Sequence, residues 1–148
     1  MMYSGLIKKA MRIAFDAHRD QVDKAGVPYI FHPFHLAEQM ETEDEVIVAL
    51  MHDVVEDTDM TLKNLCVLGF SSEVTEALSL LTHEDGVPYM TYIEAIACNP
   101  LAAKVKLADL RHNSDMTRLE EIDDKVLARI EQYKSAIALL RERTDLPL

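Results

Sequence analysis

The sequence contains few of the residues that cross-link a chain, interrupt its helices and strands, or make it flexible, namely Cys, Pro and Gly. Its 148 residues include two Cys, four Gly, five Pro and no Trp, while 49% are hydrophobic. So little Gly and Pro beside so many apolar residues excludes a disordered chain. Cys66 and Cys98 do not form a CxxC pair, and no signal peptide is recognisable. We therefore expect both thiols to be reduced core residues of a cytoplasmic protein.

Long apolar runs and positive charge are also lacking. No stretch approaches the roughly 20 apolar residues that span a bilayer, so we expect no membrane segment. The formal net charge of −11 disfavours binding to nucleic acid, which needs a basic surface. A phosphorylated substrate would have to be drawn in by a local cation, because the average field of the protein repels it. Nothing in the pattern indicates an oligomeric state.

The hydrophobic pattern is helical almost throughout and predicts one all-α domain over residues 1–148. A chain of this length buries a core without disulfides. Many Ala, Leu and Met, with few aromatic or β-branched clusters, favour helices over strands. We expect a bundle of about eight helices, with start signals at Pro33, Thr42, Thr61, Ser71 or Ser72, Thr91, Asn99 and Asp123.

One predicted helix carries an unusual polar face. Thr42-x-x-Glu45 is a capping box that opens it, and an apolar run leads into the stretch MHDVVEDTD at 51–59. A solvated acidic face is the ordinary explanation of such a pattern. On a helical wheel the side chains that converge opposite the apolar face are His52, Asp53, Glu56 and Asp57.

Two residues elsewhere in the chain favour a binding site over a solvated face. His32 follows the stiff, apolar approach PYIF and precedes Pro33, which would make it the N-cap of the second helix. Asp109 has apolar neighbours on both sides in VKLADL, and a carboxylate on a buried helix needs a partner. A structural role for His32, and pairing of Asp109 with Lys106, Arg111 or a backbone N–H, are the alternatives.

Taken together, these positions supply two imidazoles and two carboxylates. Mixed nitrogen and oxygen ligands suit a divalent metal of borderline hardness, such as Mn²⁺, Fe²⁺ or Zn²⁺. His35 is an alternative to His32 as a ligand. The candidate metal ligands are His32, His52, Asp53 and Asp109.

The order of these motifs resembles a known family. The pattern H…HD…D is typical of HD-domain metal-dependent phosphohydrolases. The segments AFDAHRDQVDKAGVPYIFHP, ALMHDVVEDTDMT and VKLADLRHN resemble the hydrolase domain of the RelA/SpoT stringent-response enzymes and the small alarmone hydrolases, including the metazoan SpoT homologues. The resemblance extends in order from about residue 8 to residue 119.

The resemblance implies an all-helical fold in which His32, His52, Asp53 and Asp109 hold one Mn²⁺. It implies that Glu56 or Asp57 acts on the attacking water. The implied reaction removes pyrophosphate from the 3′ position of guanosine tetra- or pentaphosphate, (p)ppGpp. Because the sequence ends at Leu148, without a synthetase domain, we expect hydrolysis alone.

Substrate contacts are expected from Lys24 to an outer phosphate and from Asn113 to the sugar or base. Lys106 and Arg111 are further candidates for the phosphates. The sequence departs from the family at Asp23, where family members have an Arg that packs on the guanine. A carboxylate cannot make that cation–π contact.

Two alternatives to the alarmone hydrolase remain open at this point. One is an HD phosphohydrolase that acts on another nucleotide or pyrophosphate ester, which the departure at Asp23 favours. The other is a module that senses a nucleotide without turnover. Glu56 and Asp57 argue against the sensor, since a sensor does not need residues that handle water.

Overall fold

Helices make up nearly all of the regular structure in the computed structural model, which describes residues 1 and 3–145. Within that part of the chain there are nine α-helices and one 3-10 turn, so the predicted all-α fold of about eight helices is confirmed. The predicted domain, 1–148, includes Met2 and residues 146–148, which lie outside the described residues, and it stays a prediction. The elements are α1 (Gly5–Ala17), α2 (Phe31–Glu38), α3 (Glu43–Met51), α4 (Val54–Asp57), α5 (Leu62–Val67), α6 (Ser72–Leu81), α7 (Tyr89–Ala97), α8 (Pro100–Asn113), the 3-10 turn Met116–Arg118, and α9 (Asp124–Arg143).

Short-range capping signals fixed most of the helix starts. The Thr42 hydroxyl accepts a hydrogen bond from the Glu45 N–H, and the Glu45 carboxylate accepts from the Thr42 N–H, which completes the predicted capping box. Thr61, Asn99 and Asp123 cap α5, α8 and α9 as predicted. These starts depend on residues three positions apart, so the sequence alone defines them.

Two predicted helix starts are wrong. In both cases the turn before the predicted start is already helical, so the helix begins earlier in the sequence than predicted. The second helix begins at Phe31, because the N–H groups of Phe31 and His32 donate to carbonyls of the preceding turn. His32 is therefore inside α2 and is not its N-cap. The seventh helix begins at Tyr89, with Pro88 as its N-cap, so Thr91 lies in the first turn and does not cap.

The central helix α3 ends where the polar residues begin. It packs against α1, α2, α6 and α8, and every residue from Val46 to Met51 is buried. The sequence interpretation of one continuous helix through the stretch at 51–59 is wrong. The helix stops at Met51, His52 and Asp53 form an irregular turn, and α4 restarts at Val54. His52 is buried, so the solvated-face explanation does not apply to it.

The core is one cluster of apolar side chains contributed by most of the helices. Cys66 and Cys98 are both exposed, so their predicted place in the core is wrong. Cys66 lies on the outer side of α5, whose inner side is filled by Leu65, and Cys98 is the C-cap residue that follows α7. Among the described residues no helix is both long enough and apolar enough to cross a membrane.

The capping box of α3 gives a test of this fold. Replacing Thr42 with Ala removes the acceptor for the Glu45 N–H, and we expect the free energy of unfolding to fall by about 1 kcal/mol. Thr91→Ala is the matched control, because Thr91 caps nothing, and we expect a change within about 0.5 kcal/mol. Urea unfolding measures both variants. Equal losses would contradict the assigned helix starts.

Candidate metal centre

Three buried side chains from three helices meet at the centre of the molecule. His32 comes from α2, His52 from the end of α3 and Asp109 from α8. One possible ligand atom from each lies within 4.8 Å of the others. The Nε2 atom of His32 is 2.9 Å from Asp109 Oδ1, and that of His52 is 3.5 Å from the same oxygen. The structure thus brings together three of the four residues predicted as metal ligands.

The ring of His52 presents a lone pair to this group. Its Nδ1 donates to the Ala49 carbonyl at 2.8 Å, so Nδ1 carries the proton of the neutral ring. Nε2 then faces the carboxylates of Asp53 and Asp109 and has no hydrogen-bond partner among the described residues. Burial disfavours the charged ring, but the two carboxylates outweigh it and raise the pKa of His52 well above its usual value. A metal cation at this place would balance the charge of the same two carboxylates.

His32 is oriented by a second imidazole, that of His112. The two Nδ1 atoms lie 2.7 Å apart and the rings stack. Burial and the nearby Arg118 lower the pKa of His112 to about 4, so the neutral His112 ring can accept a hydrogen bond from the N–H at His32 Nδ1. In that arrangement Nε2, which lies 2.9 Å from Asp109 Oδ1, is the ring atom of His32 that could act as a metal ligand. An outer hydrogen bond orients many metal-binding histidines in the same way.

Asp109 is held by polar partners on its own helix. Lys106 Nζ donates to Oδ2 at 2.8 Å, and Asn113 Nδ2 donates to Oδ1 at 2.9 Å. Burial opposes ionisation of Asp109, but Lys106 and the two histidines keep its pKa well below the usual range. Lys106 also lies over the Tyr92 ring, 5.4 Å from its centre. Asp109 is therefore an ionised carboxylate in the core.

Asp53 stands at the edge of the group. Its Oδ2 is 3.0 Å from His52 Nε2 and accepts a hydrogen bond from the Tyr29 hydroxyl. Burial would raise the pKa of Asp53, but His52 and the Tyr29 hydrogen bond lower it to about 2. Two ionised carboxylates and two imidazole nitrogens fit a divalent metal. That these four residues bind one stays a prediction.

The two residues predicted to handle water lie on α4, directly after this group. Glu56 Oε1 accepts a hydrogen bond from the His83 N–H at 2.6 Å. Burial raises the pKa of Glu56, and the nearby Asp53 carboxylate adds to the effect. Asp57 Oδ2 accepts from Gln21 Nε2 at 3.3 Å, and Gln21 Oε1 lies 2.7 Å from His18 Nδ1. Both residues are exposed over part of their surface, so a ligand can reach them, while the Glu56 carboxylate is partly enclosed where it meets the His83 N–H.

A cavity of about 290 Å³ adjoins the buried group. It touches Tyr29 and Asn113, which hydrogen-bond Asp53 and Asp109, and it includes Lys24 as predicted. Its other walls are Val22, Asp23, Ala25, Asp115, Arg118, Leu119, Val126, Arg129, Ile130 and Tyr133.

Other predicted positions have different places. Lys106 is bound to Asp109 and does not line this cavity. Arg111 is exposed on α8 and does not line it either. His35, the alternative ligand, is exposed and lies outside the buried group, with its ring against that of His112.

Sequence reasoning missed three residues that organise the site. Nothing in the sequence pattern indicates that Tyr29 hydrogen-bonds Asp53 or that Arg118 lies beside this centre. Nor does the pattern indicate that His112 contacts His32, although its position three residues after Asp109 places it nearby on the same helix. The stacking of His112 on His32 depends on how α2 packs against α8, and the pattern of a single sequence does not show that packing.

Searches against known proteins found relatives along most of the chain. It is 31% identical over 145 residues to a GTP pyrophosphokinase of Myxococcus xanthus, with 86% of this chain and 19% of the relative covered. It is 34% identical over 122 residues to the bifunctional (p)ppGpp synthase/hydrolase SpoT of Escherichia coli K12, with 72% and 17% covered. A probable guanosine-3′,5′-bis(diphosphate) 3′-pyrophosphohydrolase of Synechocystis is 31% identical over 154 residues, with 93% and 20% covered. The chain spans about a fifth of the length of these curated relatives.

A solved structure supports the same fold. A metazoan ortholog of SpoT, described as hydrolysing ppGpp, superimposes with a TM-score of 0.77 at 22% identity, covering 95% of this chain and 87% of that one. No family model matches the sequence. At this level of identity the likeness establishes the helical architecture.

The ligand assignment predicts that His32 and His35 respond differently to substitution. We expect a saturating divalent metal to stabilise the unmodified protein and His35→Gln, by about 2.7 kcal/mol at a hundred times the dissociation constant. His32→Gln should lose most of this gain, because it removes a nitrogen from the buried group. Thermal unfolding with Mn²⁺ and with a chelator measures the gain within each variant. An undiminished gain in His32→Gln would contradict the assignment.

Proposed function

Because the chain is an HD-type helical domain like the hydrolase domain of the RelA/SpoT enzymes, we propose that it hydrolyses guanosine tetra- and pentaphosphate at the 3′ position. The observation that carries this proposal is the buried group of His32, His52 and Asp109, with Asp53 at its edge. Two hydrogen-bond partners of this group, Tyr29 and Asn113, line the adjoining cavity. The names of the curated relatives support the substrate.

We infer that His32, His52, Asp53 and Asp109 hold one divalent metal, with Mn²⁺ the candidate that the family resemblance favours. When bound, such an ion lowers the pKa of a coordinated water and neutralises phosphoryl oxygens. The protein's part is to fix the ligands in place. It does so through Ala49, His112, Tyr29, Lys106 and Asn113, which hydrogen-bond them.

In the proposed reaction a water oxygen bonds to the phosphorus attached to the 3′ oxygen, and the bond between that phosphorus and the 3′ oxygen breaks. The products are GDP and pyrophosphate from the tetraphosphate. Glu56 takes the proton that the water loses, and the 3′ oxygen gains a proton as it leaves. Asp57, held by Gln21, orients the water.

Cations on the cavity wall offset the net charge of −11 where the substrate binds. Lys24 and Arg129 line the cavity, and we assign Lys24 to an outer phosphate. Asn113 already donates to Asp109, so its predicted contact with sugar or base would use its second amide hydrogen. A cytoplasmic location and the absence of a nucleic-acid partner stay predictions.

A second candidate is hydrolysis of another nucleotide or pyrophosphate ester, which the Asp23 carboxylate on the cavity wall favours. A panel of phosphorylated nucleotides, assayed with Mn²⁺ and with pyrophosphate and orthophosphate measured separately, distinguishes the two. The proposal expects pyrophosphate and GDP in equal amounts from guanosine tetraphosphate. Faster turnover of another panel member would favour the second candidate.

The general-base role of Glu56 predicts a large kinetic effect. Glu56→Gln removes the proton acceptor but keeps the shape, so we expect kcat to fall about 10²- to 10⁴-fold while metal-dependent stabilisation is kept. Glu131→Gln, at an exposed carboxylate on α9, is the control and should retain full activity. A near-normal rate in Glu56→Gln would transfer the role to Asp57, for which Asp57→Asn is the corresponding variant.

The raised pKa of Glu56 predicts how the rate depends on pH. A general base works only when ionised, so activity is lost as pH falls through the pKa of Glu56. Since burial raises that pKa, the acid limb should lie above the range of an ordinary Glu side chain. A kcat–pH profile with metal at saturation measures it. The limb should be absent from the residual activity of Glu56→Gln.

A further inference from the structure

Both carboxylate oxygens of Asp23 contact other groups of the protein. Its Oδ1 accepts hydrogen bonds from the N–H groups of Ala25 and Val27, at 2.9 and 3.0 Å. These bonds close the turn around Gly26, whose φ of +80° suits glycine. Its Oδ2 lies 3.5 Å from Arg118 Nη2. One oxygen is thus a structural acceptor, and the other faces a guanidinium.

Arg118 is anchored beside the same cavity. Its Nη1 donates to the His112 carbonyl at 2.7 Å, and its side chain is only 25% exposed. Arg118 and Asp23 both line the cavity that touches Tyr29 and Asn113. A guanidinium has five N–H donors in one plane, so donors remain after these two contacts.

The neighbouring charges favour a neutral ring over a phosphate at this place. A carboxylate next to the guanidinium cancels much of its attraction for an anion, whereas a donor beside an acceptor suits a base edge that carries both. The reacting phosphate belongs at the buried histidine group, and the His112 residue lies between that group and Arg118. Apolar and aromatic side chains complete the cavity wall, namely Val22, Ala25, Val126, Ile130 and Tyr133.

We propose that Arg118, paired with Asp23, reads the purine base of the substrate. Arg118 donates to O6 or N7 of guanine, the pairing that arginine makes most often with this base, and Asp23 Oδ2 accepts from N1–H. Adenine presents an amino group where guanine has O6, so its amino donor would face the N–H donors of Arg118. Inosine keeps both O6 and N1–H and should be accepted. This inference rests on the proposed function and names the residue that selects its substrate.

The test compares the 3′,5′-bis(diphosphates) of guanosine, inosine and adenosine as substrates of the metal-loaded protein. We expect the unmodified protein to prefer guanosine and inosine over adenosine by about 5- to 150-fold in kcat/KM. Arg118→Met should reduce that preference to about twofold or less, mainly by losing guanosine turnover. Arg141→Met, at an exposed Arg near the end of α9, is the matched control and should keep the preference.

Stability is checked separately, because Arg118 also joins two loops. If Arg118→Met unfolds, Arg118→Lys provides the measurement, since it keeps the charge and loses the planar fork. An unchanged base preference in whichever variant is folded would overturn the role of Arg118 while leaving the hydrolase proposal intact. Failure of the unmodified protein to turn over any of the three substrates, with metal-dependent stabilisation present, would overturn the proposed function and this inference with it.

Discussion

An ionised carboxylate in the middle of a helical core constrains the whole structure. Asp109 has almost no contact with solvent, and a charge in that position is tolerated only when other groups compensate it. Lys106 and Asn113 do so from the same helix, while His32 and His52 approach from α2 and α3. The site is therefore the polar centre around which these helices are packed, and the fold itself holds the candidate metal ligands in place.

The break in the central helix gives this centre an opening. Continuation of α3 as a regular helix would have made His52 and Asp53 part of one uninterrupted face. The turn between Met51 and Val54 instead buries His52 and leaves Asp53 partly accessible at the side of Tyr29. Glu56 and Asp57 then follow on a separate short helix, exposed to an incoming molecule. One irregular turn thus separates the buried candidate ligands from the two residues proposed to act on water.

The sequence predicts those parts of the structure that depend on neighbouring residues. The capping boxes at Thr42 and Thr61 and the Asn99-Pro100 start all follow from local hydrogen bonds, so their helix starts are correct. The wrong starts at Pro33 and Thr91 arose where a preceding turn extended the helix. The break after Met51 has no sequence signal of its own. The polar pattern there is also compatible with an uninterrupted amphipathic helix.

In the candidate site, too, only part of the arrangement is predictable from the sequence. His32, His52, Asp53 and Asp109 are recognisable because their residue types and order match a motif. Their supporting residues are not, since the contact of His112 with His32 and that of Arg118 with Asp23 join segments distant in the sequence. From the sequence alone, Asp23 indicates only that the positively charged Arg of the family is absent at this position. The fold places a guanidinium from the α8–α9 connection beside it.

If the proposed function is correct, a divalent metal occupies the buried group and balances the charge of its carboxylates. Anomalous diffraction from crystals grown with Mn²⁺, recorded on both sides of the manganese edge, tests it directly. We expect one strong peak per chain between His32, His52 and Asp109, with Asp53 as the fourth ligand. A peak confined to exposed carboxylates or to Cys66 or Cys98, with none at the buried group, would contradict it.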